Sequence, residues 1–412
     1  MRRGRYTERK KVIMRFVANI ILLLVLLVGC PAWAQSDSLM SQTAVVEQTI
    51  DSSDQSEELD VKSVVLGHIG DSYEWHICTV GDKHITVPLP VIVRGEDGKW
   101  HCFSSSKLHH GHASYEGFSI AEEGEYAGKI VEQTADGEQI RPIDLSITKT
   151  VAGLFVNCAV LLLIVLGVAR RYRNDKVDTK AKGGFAGVLE MVIESVMEGI
   201  IIPCVGPNYR KFAPYLLTAF FFIFVNNLMG LIPIFPAGAN VTGNIAVTFV
   251  LAMATFLAVN LFGTKDYWKE IFWPEVPTWL KVPIPIMPAI EFIGLFTKPF
   301  SLMIRLFANI LAGHAIILIL TCIVFATAKM GAAVNGAMSA VSVILSIFMN
   351  CLELLVAFLQ AFVFTMLSAV FIGAAQHTEE HAEDHSAQHS VAHSAEHSPE
   401  HELKQETKQI EK

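Results

Sequence analysis

The 412-residue sequence lacks any G-x-x-x-x-G-K-[ST] loop, so no stretch of it is built to cradle nucleotide phosphates, and the chain is not expected to hydrolyse ATP by itself. Charge is scarce. Asp, Glu, Lys and Arg make up 17% of residues, and the net charge of -8 argues against a nucleic-acid partner. No internal repeat is visible, which weighs against a secondary transporter built from two related halves. No motif calls for a cofactor or a bound metal. What the sequence has in abundance is apolar surface: 52% hydrophobic residues and a mean hydropathy of +0.42 indicate a polytopic membrane protein with soluble additions.

The first 34 residues read as a signal peptide. A basic start including Arg9, Lys10 and Lys11 precedes an apolar core from Phe16 to Gly29, and Ala32-Trp33-Ala34 offers a small-residue cleavage site. Leu27-Val28-Gly29-Cys30 also reads as a lipobox that would leave Cys30 lipidated. An uncleaved anchor is the third reading, although the apolar run is short for a span. Residues 36 to about 60 are polar and acidic, as in a linker. From 61 to 145 the β-rich runs Val61 to Leu66, Trp75 to Val80, His84 to Val93 and Trp100 to Ser104 are broken by Gly81-Asp82 and Glu96-Asp97-Gly98. Residues 35–146 are therefore expected to hold a small β-containing extracytoplasmic domain. Its His109-His110-Gly111-His112 cluster has no clear fourth ligand and reads as a polar surface loop. Cys78 and Cys102 are either disulfide partners in an oxidising compartment or two free thiols.

Residues 147–376 form the membrane domain. A first span from about Ile147 to Val168 ends at Arg170-Arg171-Tyr172-Arg173, which places that end in the cytoplasm. Ala186 to Pro203 is amphipathic, with Glu190, Glu194 and Glu198 opposite an apolar face, and is expected to lie along the interface. Spans follow at about Phe212 to Ile234 and Asn240 to Phe262, then an interfacial loop from Asp266 to Pro283 with three tryptophans. Two longer segments, Pro285 to Met330 and Ala340 to Ala375, exceed the ~20 residues of a perpendicular span and must be tilted. The expected fold is thus an all-α polytopic membrane protein with about five transmembrane helices and one interfacial helix, the last two long and tilted as a hairpin. Residues 377–412 form a cytoplasmic tail in which His377 to His401 recur every fourth position. On a helix that stripe winds round the axis, so the tail reads as a solvated extension, with metal capture as the alternative.

The last two spans carry polar groups that need explaining. Arg305 lies well inside an apolar run, and a guanidinium stays charged at any accessible pH, so mid-bilayer placement costs at least ~3 kcal/mol. It either snorkels to a headgroup or serves as a fixed charge on an ion pathway. At ~100° per residue, Ala308, Asn309, Ala312 and Gly313 cluster on the Arg305 side, whereas His314 points about 180° away. Glu353 and Gln360, seven residues apart, share one face of the final segment. A hairpin can set Gln360 near Arg305 and Glu353 near His314, although sequence alone does not fix that register. Glu291, one heptad before Lys298, reads either as part of a cytoplasmic access path or as a helix-end charge among headgroups.

The pattern Lys298-Pro299-x-Ser301-Leu302-x-x-Arg305-Leu306-Phe307-x-Asn309-x-x-Ala312-Gly313-His314, followed by Leu359-Gln360-Ala361-Phe362-Val363-Phe364, closely resembles subunit a of the rotary F-type ATP synthases. Asn227-Leu228-Met229-Gly230-Leu231-Ile232-Pro233 extends the likeness, which covers most of residues 148 to 376. The resemblance implies two long slanting helices against a rotating ring of c subunits, with subunit b and the remainder of the F0F1 complex as further partners in a bacterial inner membrane. It implies that Arg305 is the essential charge facing the ring carboxylate. His314 and Glu353 would line the outer half-channel, an acid and a base that the family often carries in exchanged order. Gln360 would orient Arg305, Asn309 would add polar lining, and Asn227 matches an outer-path position. Relatives often place an acid three residues beyond Asn227, where this chain has Gly230.

Overall fold

The computed structural model describes residues 70–80, 83–111, 113–121, 126, 128–133, 139–172, 184–232, 237–273 and 286–376, with Ala18, Asn19 and Leu22. Apart from those three residues, the expected signal peptide, the linker, the run Val61 to Leu66 and the histidine tail lie outside the described residues.

Short β-rich runs separated by polar turns become strands β1 (Glu74–Val80), β2 (Lys83–Pro88), β3 (Pro90–Arg94), β4 (Trp100–Ser104), β5 (Phe118–Ile120), β6 (Ile130–Gln133), β7 (Gln139–Ile140) and β8 (Ile143–Asp144). They form three small antiparallel sheets, β1-β2, β4-β3-β8 and β5-β6-β7. Alternation along β3 turns Val91 and Val93 inward, where they meet Phe103, Leu108, Phe118 and Ile130. Each such side chain contributes about 1.5–3 kcal/mol by burial. Tyr73 closes this core, its hydroxyl donating to Asp144 Oδ2 at 2.5 Å. Burial raises the Tyr73 hydroxyl well above its ordinary range, and the neighbouring carboxylate adds to the rise. Of the two disulfide candidates, Cys102 on β4 is a free, exposed thiol, and Cys78 lies on β1.

The remaining described chain is helical: α1 (Lys149–Tyr172), α2 (Phe185–Val196), a π-helical turn (Met197–Ile201), α3 (Ile202–Val205), α4 (Tyr209–Leu231), α5 (Ile245–Phe262), α6 (Lys265–Phe272), α7 (Ile286–Ala326) and α8 (Ala332–Gln376). Four of these, α1, α5, α7 and α8, are long and apolar enough to cross a membrane, which fits a polytopic membrane protein. The 23-residue α4 runs among them with most of its middle buried. Where a loop was expected after Asp266, α6 forms instead, because Thr264 caps it by accepting from Tyr267 N at 3.3 Å. The α7–α8 turn falls at Gly331, whose φ of 100° suits glycine, so α8 begins eight residues before the expected Ala340. At 1.5 Å per residue the two helices reach about 60 Å or more, roughly twice the hydrocarbon thickness.

Among lipid-facing helices apolar surface gives little drive to associate, so close packing and polar contacts carry the assembly. Gly373 of α8 packs against the Cys204 carbonyl with no room for a Cβ, and Gly153 of α1 packs in the same way against the Ala239 side chain. Asn157 Nδ2 of α1 donates to Asn226 Oδ1 of α4 at 2.9 Å. The Thr255 hydroxyl of α5 meets Tyr215 of α4 at 2.8 Å and Ser368 of α8 at 3.2 Å. The amphipathic segment does not simply lie on a surface. Phe185 and Met191 are exposed, but Val196, Ile200 and Ile201 enter the main core with α4 and α8.

Candidate functional site

Helix α7 sorts its residues by face. Leu302, Leu306 and Ile310 are buried against the bundle, while Arg305 and Asn309 occupy the exposed side. Among the described residues Arg305 has no hydrogen-bond or ion-pair partner, so its five donors face outward unclaimed. Gln360 of α8 is buried but does not meet Arg305. It sits one turn further along, where Asn309 Nδ2 donates to Gln360 Oε1 at 3.0 Å, and its own Nε2 has no partner among the described residues. The expected Arg305–Gln360 neighbourhood is thus an Asn309–Gln360 pair beside Arg305.

One and a half turns on, the imidazole Nδ1 of His314 lies against Glu353 Oε1 of α8. The approach is an ion-pair contact without aligned hydrogen-bond geometry. It agrees with the Asn309–Gln360 pair on a single antiparallel register. Glu353 is only 5% exposed, and an ionised carboxylate so buried is costly unless a cation faces it. Gly313, which helical angles place toward Arg305, instead makes room for this acid: a Cβ there would stand 3.0 Å from Glu353 Oε1. On the other side of the ring, the Cβ position of Gly230 lies 3.5 Å from His314 Nε2 and 3.8 Å from the Ala239 carbonyl. The imidazole therefore joins a buried acid at Nδ1 to a side-chain-free position at Nε2.

Asn227 is buried and fully engaged. Its Nδ2 donates to the Ala357 carbonyl at 3.3 Å, and its Oδ1 accepts from Thr242 Oγ1 at 2.6 Å. It ties α4 to α8 one turn beyond Glu353 and to the loop 237–244. Sequence gave no hint of Thr242 or of the Ala357 carbonyl, because neither carries a charge and the loop's path is a tertiary fact.

Glu291 is half-buried on α7, distant in sequence from these pairs but facing α6. Burial raises the Tyr267 hydroxyl above its ordinary range, and the Glu291 carboxylate adds to the rise. Nearby, Lys298 extends its ammonium over the Phe371 ring, 5.9 Å from the centroid. Lys298, Tyr267 and Asn260 share an open cleft of about 410 Å³ with apolar walls from Phe256, Leu295 and Phe371. Among the described residues no group of three or more His, Cys, Asp or Glu is placed to hold a metal ion.

Residues 153–373 match the family described as ATP synthase A chain. The chain belongs to that family. Residues 64–146 separately match a domain of unknown function, DUF8433, which coincides with the β-rich region. Among curated relatives, the ATP synthase subunit a of Chlorobium phaeobacteroides is 44% identical over 241 residues, covering 57% of this chain and 67% of the relative. That of Chloroherpeton thalassium is 38% identical over 242 residues, 58% of this chain and 68% of the relative. The ATP synthase subunit a 2 of Chlorobaculum tepidum is 43% identical over 246 residues, 58% of this chain and 65% of the relative. Arg305, Asn309, His314, Glu353, Gln360, Asn227 and Glu291 all fall within the matched segment of the family.

Proposed function

We propose that the chain is the proton-conducting stator of a rotary ATP synthase in a bacterial inner membrane. It provides two half-channels that couple proton flow to rotation of a c-ring, with subunit b and the rest of the complex as partners and lipid around it. In this reading α1, α4, α5, α7 and α8 span the bilayer, with the β-rich region outside the cytoplasm and the tail inside. Nucleotide chemistry belongs to the partner subunits.

The observation that carries the reading is an unpartnered arginine on the exposed face of a helix apolar enough to span the membrane. An ionised carboxylate cannot cross hydrocarbon cheaply, so each ring carboxylate travels through lipid protonated. On reaching Arg305 it releases that proton to the inner path and pairs, ionised, with the guanidinium. It then takes a new proton from the outer path and moves on. A permanently charged group between the two paths also repels a proton that would short-circuit them. Lysine would supply charge but not the same fork of donors.

The outer path uses His314 and Glu353. A proton arriving at His314 Nε2, from the side left open by Gly230, makes an imidazolium paired with the buried Glu353. The proton on Nδ1 can then pass to the carboxylate and onward to the ring. The Asn309–Gln360 pair keeps the polar lining beside Arg305 in place without competing for the guanidinium. Glu291 serves the inner path near Tyr267.

ATP-driven proton pumping in inverted membrane vesicles tests the proposal. Arg305→Ala is expected to abolish pumping while the complex still assembles and hydrolyses ATP. Pumping that survives the substitution in an assembled complex would show Arg305 to be a structural charge and the mechanism to be wrong.

A further inference from the structure

The β-rich region is joined to the membrane domain by more than its covalent link. Trp75 of β1 is 5% exposed, yet it belongs not to the core of its own sheets but to the packed cluster that holds Leu154 of α1 and Ala239 and Val241 of the loop 237–244. Val87, its partner across β1 and β2, packs on the same cluster. Beside them the backbone is pinned. Lys149 N donates to the Ser72 carbonyl at 2.8 Å, and Thr150 N donates to Asp71 Oδ1 at 3.0 Å, so Asp71 caps the first turn of α1.

From this seam the contacts run on to the candidate site. Gly153 of α1 has no room for a Cβ because Ala239 sits against it. Gly238 N donates to the Met229 carbonyl at 3.0 Å, the Ala239 carbonyl lies beside Gly230, and Gly230 lies beside His314 Nε2. Thr242, from the same loop, holds Asn227. The loop is therefore held against α1, whose first turn Ser72 and Asp71 pin, on one side, and against the end of α4 with its histidine neighbour on the other. Since Gly230 contributes no side chain, the width of the space at Nε2 is set by where the loop backbone is held.

We infer that residues 70–146 are a working part of the outer proton-access path: β1, through Trp75 and with Asp71 beside it, clamps the loop 237–244, and the clamped loop sets the space in which His314 takes up its proton. This assigns a role to the β-rich region and makes Trp75 a positioning residue. The inference rests on the outer-path reading of His314 and Glu353. A displacement of the loop on the order of 1 Å would alter water access to Nε2 and slow transfer by about tenfold or more, without touching Arg305 or the ring contact.

The test measures ATP synthesis by the intact complex in vesicles, driven by an imposed proton gradient while the outer-side pH is varied. Trp75→Ala is expected to assemble and to retain ATP hydrolysis, to lower synthesis about tenfold, and to displace the outer-side pH profile, whereas Trp75→Phe restores most of the rate. Thr242→Val added to Trp75→Ala should cause little further loss, because both act through one loop. A wild-type rate and pH profile in Trp75→Ala, or losses that multiply in the double variant, would overturn the inference. Should Trp75→Ala not assemble, Val87→Ala trims the same clamp and is read against the same two outcomes. Arg305→Ala in the same preparation separates the two levels: if it still synthesises ATP the channel reading fails, and if only the clamp variants are silent the clamp alone falls.

Discussion

Gly313 shows how much a single residue decides. Its missing side chain lets the Glu353 carboxylate lie against the His314 ring, and a methyl group there would come within 3.0 Å of Glu353 Oε1. Gly313→Ala is therefore expected to push the carboxylate off the imidazole. ATP synthesis in vesicles should fall about tenfold, with assembly and ATP hydrolysis retained; an unchanged rate would mean that the contact does not carry the proton. Arg305, His314 and Glu353 were legible from sequence because an ionisable side chain in an apolar run costs enough to demand a reason. Gly313 was not, since a small residue announces a close neighbour without saying which one. Helical angles assigned it to the arginine face, and the fold gave it to the acid.

The strands of the β-rich region carry a pH-dependent link of their own. His101 on β4 bonds through Nδ1 to Glu116 Oε2 at 2.8 Å, and its Nε2 lies 3.6 Å from Asp97 Oδ2. The Glu116 hydrogen bond, with help from both carboxylates, raises the imidazole above its usual range. The carboxyls are lowered, Glu116 mainly by the His101 hydrogen bond and Asp97 mainly by the Lys99 backbone N–H. The histidine's contribution is full below its unfolded value of about 6.5 and is lost as pH rises through the higher folded value; that of the acids is full above about 4.3 and is lost as pH falls through the lower folded values. The link is therefore strongest between roughly pH 4.5 and 6.5. Amide exchange in Trp100–Ser104 and Phe118–Ile120 of the full chain, corrected for intrinsic rates, should be slower at pH 6 than at pH 8. His101→Gln should remove that difference, and its persistence would place the pH dependence elsewhere. At this scale the strands were readable from β-rich runs between turns, and β1, β2, β3 and β4 form close to where expected. Their partition into separate sheets was not readable.

For the whole molecule the decisive issue is orientation across the membrane. Cys102 is a free, exposed thiol in the β-rich region. With that region outside the cytoplasm, a membrane-impermeant maleimide should label Cys102 in spheroplasts, and Cys102→Ser should lower the labelling by the share that Cys102 carries. Labelling only after lysis would invert the proposed topology and remove both the outer path and its clamp from their stated side.

The sequence by itself determined that this is a membrane chain of long apolar helices, that its last two helices carry Arg305, Asn309, His314, Glu353 and Gln360 among their polar groups, and that it resembles the family to which it belongs. Those features are local, because hydropathy, helical period and motif spacing act within one segment. Tertiary structure alone decided the pairing of Asn309 with Gln360 and His314 with Glu353, the binding of Asn227 by Thr242, and the burial of Trp75 away from its own sheets. Each of those depends on which helices and loops can approach closely. In a bilayer that is set by small residues such as Gly153, Gly313 and Gly373 meeting particular partners, rather than by hydrophobicity, which every face of these helices shares.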